Sequence, residues 1–176
     1  MRTLGPRSVS SALKIILDVV FVLLFISIIL LGVRALLSAV AMANPSAAFA
    51  NWYFPRTHIH VVATSPRAAA ALVTYCFNVL ASIVVVGRLR KIFVTLVDGK
   101  PFQVDNARRL RVIGLALMAA EISRLAVRYL MWGIPEGPRI WFEINFVGWF
   151  SIAIIFVLAE IFDEGARLRR DAELTI

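Results

Sequence analysis

The most constraining feature of this chain is the stretch Ala68–Gly87, twenty consecutive residues without a single charge. At about 1.5 Å of rise per residue, roughly 20 residues in a helix cross the ~30 Å hydrocarbon core of a bilayer. Three further apolar stretches, about Ile15–Ala43, Val112–Trp132 and Ile140–Phe162, are long enough to do the same. Hydrophobic residues make up 60% of the 176, against about 45–50% in ordinary globular domains. A soluble domain of this length could not bury that much apolar surface. The composition therefore excludes disorder and an ordinary soluble enzyme, and points to one all-α, integral membrane four-helix bundle over residues 1–176.

A cleavable signal peptide is the rival reading for the first stretch, because Ala48-Phe49-Ala50 imitates a small-residue cleavage site. Signal h-regions run about 7–15 residues. This run is far longer and carries Arg34, so an uncleaved helix is expected.

Orientation follows from the nineteen Lys and Arg residues, which give a net charge of +8. With four spans, both termini and the middle loop 88–111 share one side. Thirteen of the cations fall there: three before the first span, seven between Arg88 and Arg111, and three in the tail 163–176. Only Arg56, Arg67 and Arg139 fall opposite, and Arg34, Arg124 and Arg128 lie within spans. The imbalance predicts both termini in the cytoplasm of a bacterial inner membrane. Trp52, Tyr53, Trp132 and Trp141 lie where an aromatic belt is expected.

The connections carry turn chemistry. Asn44-Pro45 breaks the first helix, Pro55 and Pro66 keep the first outer loop from extending either neighbour, and Ile134-Pro135-Glu136-Gly137-Pro138 makes the second a short turn. Asp98-Gly99-Lys100-Pro101 is a turn, with Asp105 or Asn106 expected to cap a helix beginning near Ala107. From Arg88 to Val97, Leu89, Ile92, Phe93 and Leu96 recur at helical spacing, so the second helix should run on beyond its span. The tail pairs Asp163 and Glu164 with Arg167, and reads as a short charge-paired helix.

The charges left inside the spans are the sharpest chemical signal. Glu121, Arg124 and Arg128 stand at i, i+3 and i+7, on one helical face, and Arg34 lies at comparable depth in the first span. Each costs at least about 2.5–3.5 kcal/mol at the helix centre, so they should face the bundle interior and pair. Glu121 with Arg124 is the expected pair, with Glu143 a candidate for Arg34 or Arg128. The cluster is read either as a neutralised network, with arginines snorkelling to the interface, or as an ion, proton or anion path. Two arginines are too few for a voltage sensor.

Other constellations are weaker. Thr74, Asn78 and Ser82 recur every four residues on the second helix, the pattern of interhelical packing and hydrogen bonding. His58 and His60 could join a metal site, but no acidic residue lies in that loop, so no metal is assigned. The lone Cys76 excludes an intramolecular disulfide. The basic middle loop lacks a nucleic-acid-binding pattern, and anionic headgroups at the membrane face explain it without direct nucleic-acid contact. No motif of hydrolases, P-loop enzymes or zincins occurs, and no cofactor is implied.

Two segments resemble a known family. Gly99-Lys100-Pro101-Phe102, Asp105-Asn106-Ala107-Arg108-Arg109-Leu110-Arg111 and Ile113-Gly114 are similar to the middle signature of the bacterial four-helix membrane family known as domain of unknown function 2975. Ala159-Glu160-Ile161-Phe162, Gly165, Leu168-Arg169, Asp171 and Leu174-Thr175-Ile176 are similar to its C-terminal motif. The likeness covers most of the chain from the first helix onward. It implies no activity and no catalytic residues. Members are often encoded beside a small helix-turn-helix regulator of the Cro type, which implies by association a soluble partner.

Both motifs fall on the side assigned to the cytoplasm. Gly99, Pro101, Phe102, Asn106 and Arg109 form the expected partner surface, unless loop and tail dock on each other instead. The expected function is a non-enzymatic inner-membrane protein whose loop and tail bind a partner. The alternative is a small channel or carrier using Arg34, Glu121, Arg124, Arg128 and Glu143. The sequence leaves the oligomeric state open.

Overall fold

The first three apolar stretches lie within helices longer than the spans they supply, and the fourth lies in a helix from Phe146 onward. The computed structural model describes residues 9–44, 53–54, 59–60, 65–98, 102–132 and 145–174. Four helices result: α1 (Val9–Ala43), α2 (Pro66–Val97), α3 (Val104–Trp132) and α4 (Phe146–Leu174). Between α1 and α2, where only a loop was expected, β1 (Tyr53–Phe54) and β2 (Ile59–His60) form an antiparallel hairpin pairing Tyr53 with His60.

Local chemistry sets the boundaries. Ser65 is extended and its hydroxyl accepts from the Ala68 N–H at 3.2 Å, while Pro66 occupies the first turn, where its missing N–H costs nothing. As its spacing predicts, α2 continues past Gly87 to Val97. Helix α3 begins at Val104, three residues before the expected Ala107, and Asp105 lies in its first turn, where negative charge favours the helix dipole. Neither expected cap is used: the Asn106 side chain turns to another helix. Asn145 caps α4, its Oδ1 accepting from the Gly148 N–H at 3.0 Å. The expected start of the fourth span, Ile140, lies outside the described residues. The tail is the unbroken end of α4, not a separate short helix.

Among the described residues, three helices are long and apolar enough to cross a membrane: α1 over Ile15–Ala43, α2 over Ala68–Val97 and α4 over Phe146–Ala172. The remaining helix, α3, was also expected to span; Glu121, Arg124 and Arg128 hold down its apolar character. Its place in the fold shelters Glu121, since α3 packs on α2 along one side and α4 along the other. Contacts join only consecutive helices among the described residues, so α1 does not close onto α4. The expected bundle is thus an open row. The exposed side chains of α1, such as Ile15, Leu23, Ile29 and Leu36, are apolar, and an apolar helix surrounded by lipid needs no second protein neighbour.

Small residues and a seven-residue repeat hold α3 in the row. Its buried positions come in pairs: Asn106-Ala107, Ile113-Gly114 and Ala120-Glu121. The second member of each pair faces α4 where a partner is recorded: a Cβ on Gly114 would lie 2.9 Å from Phe156 Cζ, and Glu121 reaches Asn145. The first member faces α2, as Asn106 reaches Thr95. The matching stripe on α4, Ile152, Ala159 and Ala166, repeats at the same interval. Two helices packed on a seven-residue repeat cross at a shallow left-handed angle.

Candidate functional site

The most interconnected side chains gather where α2 ends, α3 begins and α4 finishes. On the α2 side, the fully buried Asn106 donates through Nδ2 to Thr95 Oγ1 at 2.7 Å. The Thr95 hydroxyl in turn donates to the Ile92 carbonyl at 2.7 Å. Arg109 donates from Nη1 to Asn106 Oδ1 at 2.9 Å and to the Lys91 carbonyl at 3.1 Å. The network links the last two turns of α2, through the Lys91 and Ile92 carbonyls, to the first turns of α3.

On the α4 side, Phe102 lies against Phe162, ring centres 5.7 Å apart, and over Gly165. Arg111 extends from α3 to Asp163 at 2.7 Å and Glu160 at 3.1 Å. Hydrogen bonding to Asp163 first, then to Glu160, raises the guanidinium pKa above its ordinary value. Beside these contacts runs a groove of mixed charge, about 540 Å³, lined by Val104, Glu160, Asp163, Glu164, Arg167 and Arg170.

A second polar cluster sits at the opposite end of α3 and α4. Glu121 is 9% exposed; its Oε1 accepts from Asn145 Nδ2 at 3.0 Å and lies 3.3 Å from Arg124 Nη1. Because Asn145 caps α4, the carboxylate also stands at the positive end of that helix dipole. The expected Glu121–Arg124 pair is therefore present. Asn145 completes it, a residue recognisable in sequence only as an N-cap before an apolar run.

The remaining expected positions divide. Arg128 is half-buried two turns along α3 from Glu121. Arg34 lies on α1, which packs on α2 and not on α3, so the backbone does not bring it beside the triad. Glu143, Gly99, Pro101 and His58 lie outside the described residues. Phe102 is 44% exposed, but Asn106 has no exposed surface and Arg109 is committed to α2. The polar stripe on α2 does not bridge helices as expected. Thr74, Asn78 and Ser82 each donate to the carbonyl four residues back, at 2.8–2.9 Å, the local solution for such groups in an apolar helix.

The contacts at the α2–α3 end join residues from both sequence motifs: Phe102, Asn106, Arg109 and Arg111 from one, and Glu160, Phe162 and Gly165 from the other. Residues 40–176 match the family described as protein of unknown function, DUF2975. The chain belongs to the DUF2975 family. The DUF2975 match begins at Val40, so nearly all of α1 precedes it, a narrower extent than the likeness from the first helix onward. No curated protein and no solved structure matches the chain. DUF2975 brings no assigned activity, and the reading of the site rests on its geometry.

Proposed function

We propose that this is a non-enzymatic, multi-pass protein of a bacterial inner membrane, with both termini in the cytoplasm, whose cytoplasmic end is a docking platform for a soluble protein. The observation that carries the reading is the interlocked end formed by Phe102, Asn106, Arg109 and Arg111 with α2 and α4. Polar and aromatic side chains are tied together there at the ends of the apolar spans, on the side to which the sequence assigns thirteen of the cations. Asn106 and Arg109 hold the platform together from within. Phe102 and the mixed-charge groove beside it, from Val104 to Arg170, supply the exposed face. A helix-turn-helix regulator is the partner class that the family resemblance implies.

The test is capture of the detergent-solubilised protein with such a regulator. Phe102→Ala and Arg170→Glu should each abolish capture while leaving the helical content unchanged. Undiminished capture by both variants would remove the assigned surface.

A channel or carrier is the second reading, and the buried Glu121 is the observation in its favour. Its neutralisation by Arg124, Asn145 and the α4 dipole favours a clamp over a path.

A further inference from the structure

We propose that the inner-leaflet end of the α1–α2 pair holds a site for one anionic phospholipid. A groove of about 520 Å³ opens there, lined by Phe21 of α1 and by Ile83, Val84, Gly87, Arg88, Arg90, Lys91 and Val94 of α2. Two faces of α2 meet at Gly87: Val84, Gly87, Arg88 and Lys91 at i, i+3, i+4 and i+7, and Ile83, Gly87, Arg90 and Val94 at i, i+4, i+7 and i+11. With no side chain at position 87, the floor of the groove is low. A Cβ there would meet Phe21 Cε2 at an ordinary 3.4 Å, so packing alone does not demand glycine.

The charges are arranged in order along the groove. Arg90 is occupied, paired with Asp18 and stacked 4.6 Å over the Phe21 ring. The stack fixes one wall, and the Asp18 carboxylate neutralises that cation. Arg88 and Lys91 have no acidic partner among the described residues. The groove therefore keeps two positive charges at Arg88 and Lys91, with Phe21 level with Gly87 and apolar Ile83 and Val84 one to two turns deeper. A phosphate at Arg88 and Lys91 with an acyl chain along the apolar floor satisfies both halves. A free phosphate lacks the acyl chain, and a zwitterionic lipid such as phosphatidylcholine carries its own ammonium beside the phosphate and so adds no net charge to offset the two cations. The inference rests on the membrane reading above and makes it specific, from diffuse attraction of headgroups to one bounded site.

The test is native mass spectrometry of the full chain purified in neutral detergent, with phosphatidylglycerol and phosphatidylcholine of identical acyl chains offered in turn. Retention of phosphatidylglycerol should exceed that of phosphatidylcholine, and Arg88→Gln and Lys91→Gln should each lower the excess by about fivefold. Gly87→Leu, which fills the floor and leaves every charge in place, should also lower it. Val84→Trp, at a partly exposed position, repeats the occlusion if Gly87→Leu does not fold. Inorganic phosphate should not displace the lipid. Equal retention of both lipids, unchanged retention in both occluding variants, or displacement by phosphate would overturn the site. Alkaline carbonate extraction separates this from the parent reading: a chain that stays in the membrane but shows no lipid preference lacks the site alone, whereas one that leaves it was never integral.

Discussion

Phe102 occupies the space that a side chain at position 165 would need: a Cβ on Gly165 would lie 2.7 Å from Phe102 Cδ1 and 3.0 Å from Cε1. The ring follows the α2–α3 connection and the glycine lies near the end of α4, so the contact fixes the tail of α4 against the start of α3. Gly165→Ala should push the ring outward, away from Phe162, at a cost of about 1–3 kcal/mol. Thermal unfolding in detergent should show the loss, and adding Phe102→Ala should make the pair less than additive.

The Asn106 network should be the more sensitive element. Asn106→Ala deprives Arg109 of one acceptor in a buried setting, at about 1–3 kcal/mol. For a chain of this size that is a fall of about 2–4 °C per kcal/mol. Thr95→Val removes one end of the network and should cost less than Asn106→Ala.

Arg111 is a contrasting case. Its ion pairs to Asp163 and Glu160 are solvent-accessible, and exposed pairs contribute little and are screened by salt. Arg111→Gln should lower the unfolding temperature less than Asn106→Ala does, and the difference from the parent chain should shrink at 1 M salt, where the Debye length is about 3 Å. An effect independent of salt would mean that the pair works through packing instead.

At the other end, Glu121→Gln keeps an acceptor for Asn145 and loses the charge facing Arg124, whereas Glu121→Ala loses both. The alanine variant should be destabilised by about 1–3 kcal/mol, the glutamine variant by less. Gly148→Ala should disturb the same clamp, since a Cβ there would lie 2.6 Å from both Glu121 Oε1 and Asn145 Nδ2. Proteoliposomes should carry no proton or anion flux above protein-free vesicles. Flux that Glu121→Gln alters would restore the channel reading.

The helices were legible because their signals are strong. The uncharged run Ala68–Gly87 and the spacing of Leu89, Ile92, Phe93 and Leu96 predict α2 almost to its last residue. The Glu121–Arg124 pair followed from i, i+3 geometry. The row arrangement was hidden, because apart from Ile113 the buried repeat of α3 is made of small or polar residues, Asn106, Ala107, Gly114, Ala120 and Glu121, with little hydropathic contrast. Asn106 was misassigned for a related reason. Asparagine beside a turn reads as a cap, and only the distance to Thr95, eleven positions earlier, shows that its partner is another helix. The role of Gly165 needed the fold outright, since nothing local demands a glycine there.

The central claim is a multi-pass chain with its interlocked end in the cytoplasm, and it turns on α3, the one helix whose composition alone does not commit it to cross. Labelling with a membrane-impermeant maleimide tests this directly, with Cys76→Ala as background and single substitutions Thr57→Cys, Lys100→Cys, Glu136→Cys and Ala172→Cys. The account predicts that positions 57 and 136 react in intact spheroplasts, and that positions 100 and 172 react only after permeabilisation. If position 136 were protected like position 100, α3 would not cross the membrane and the account would be wrong.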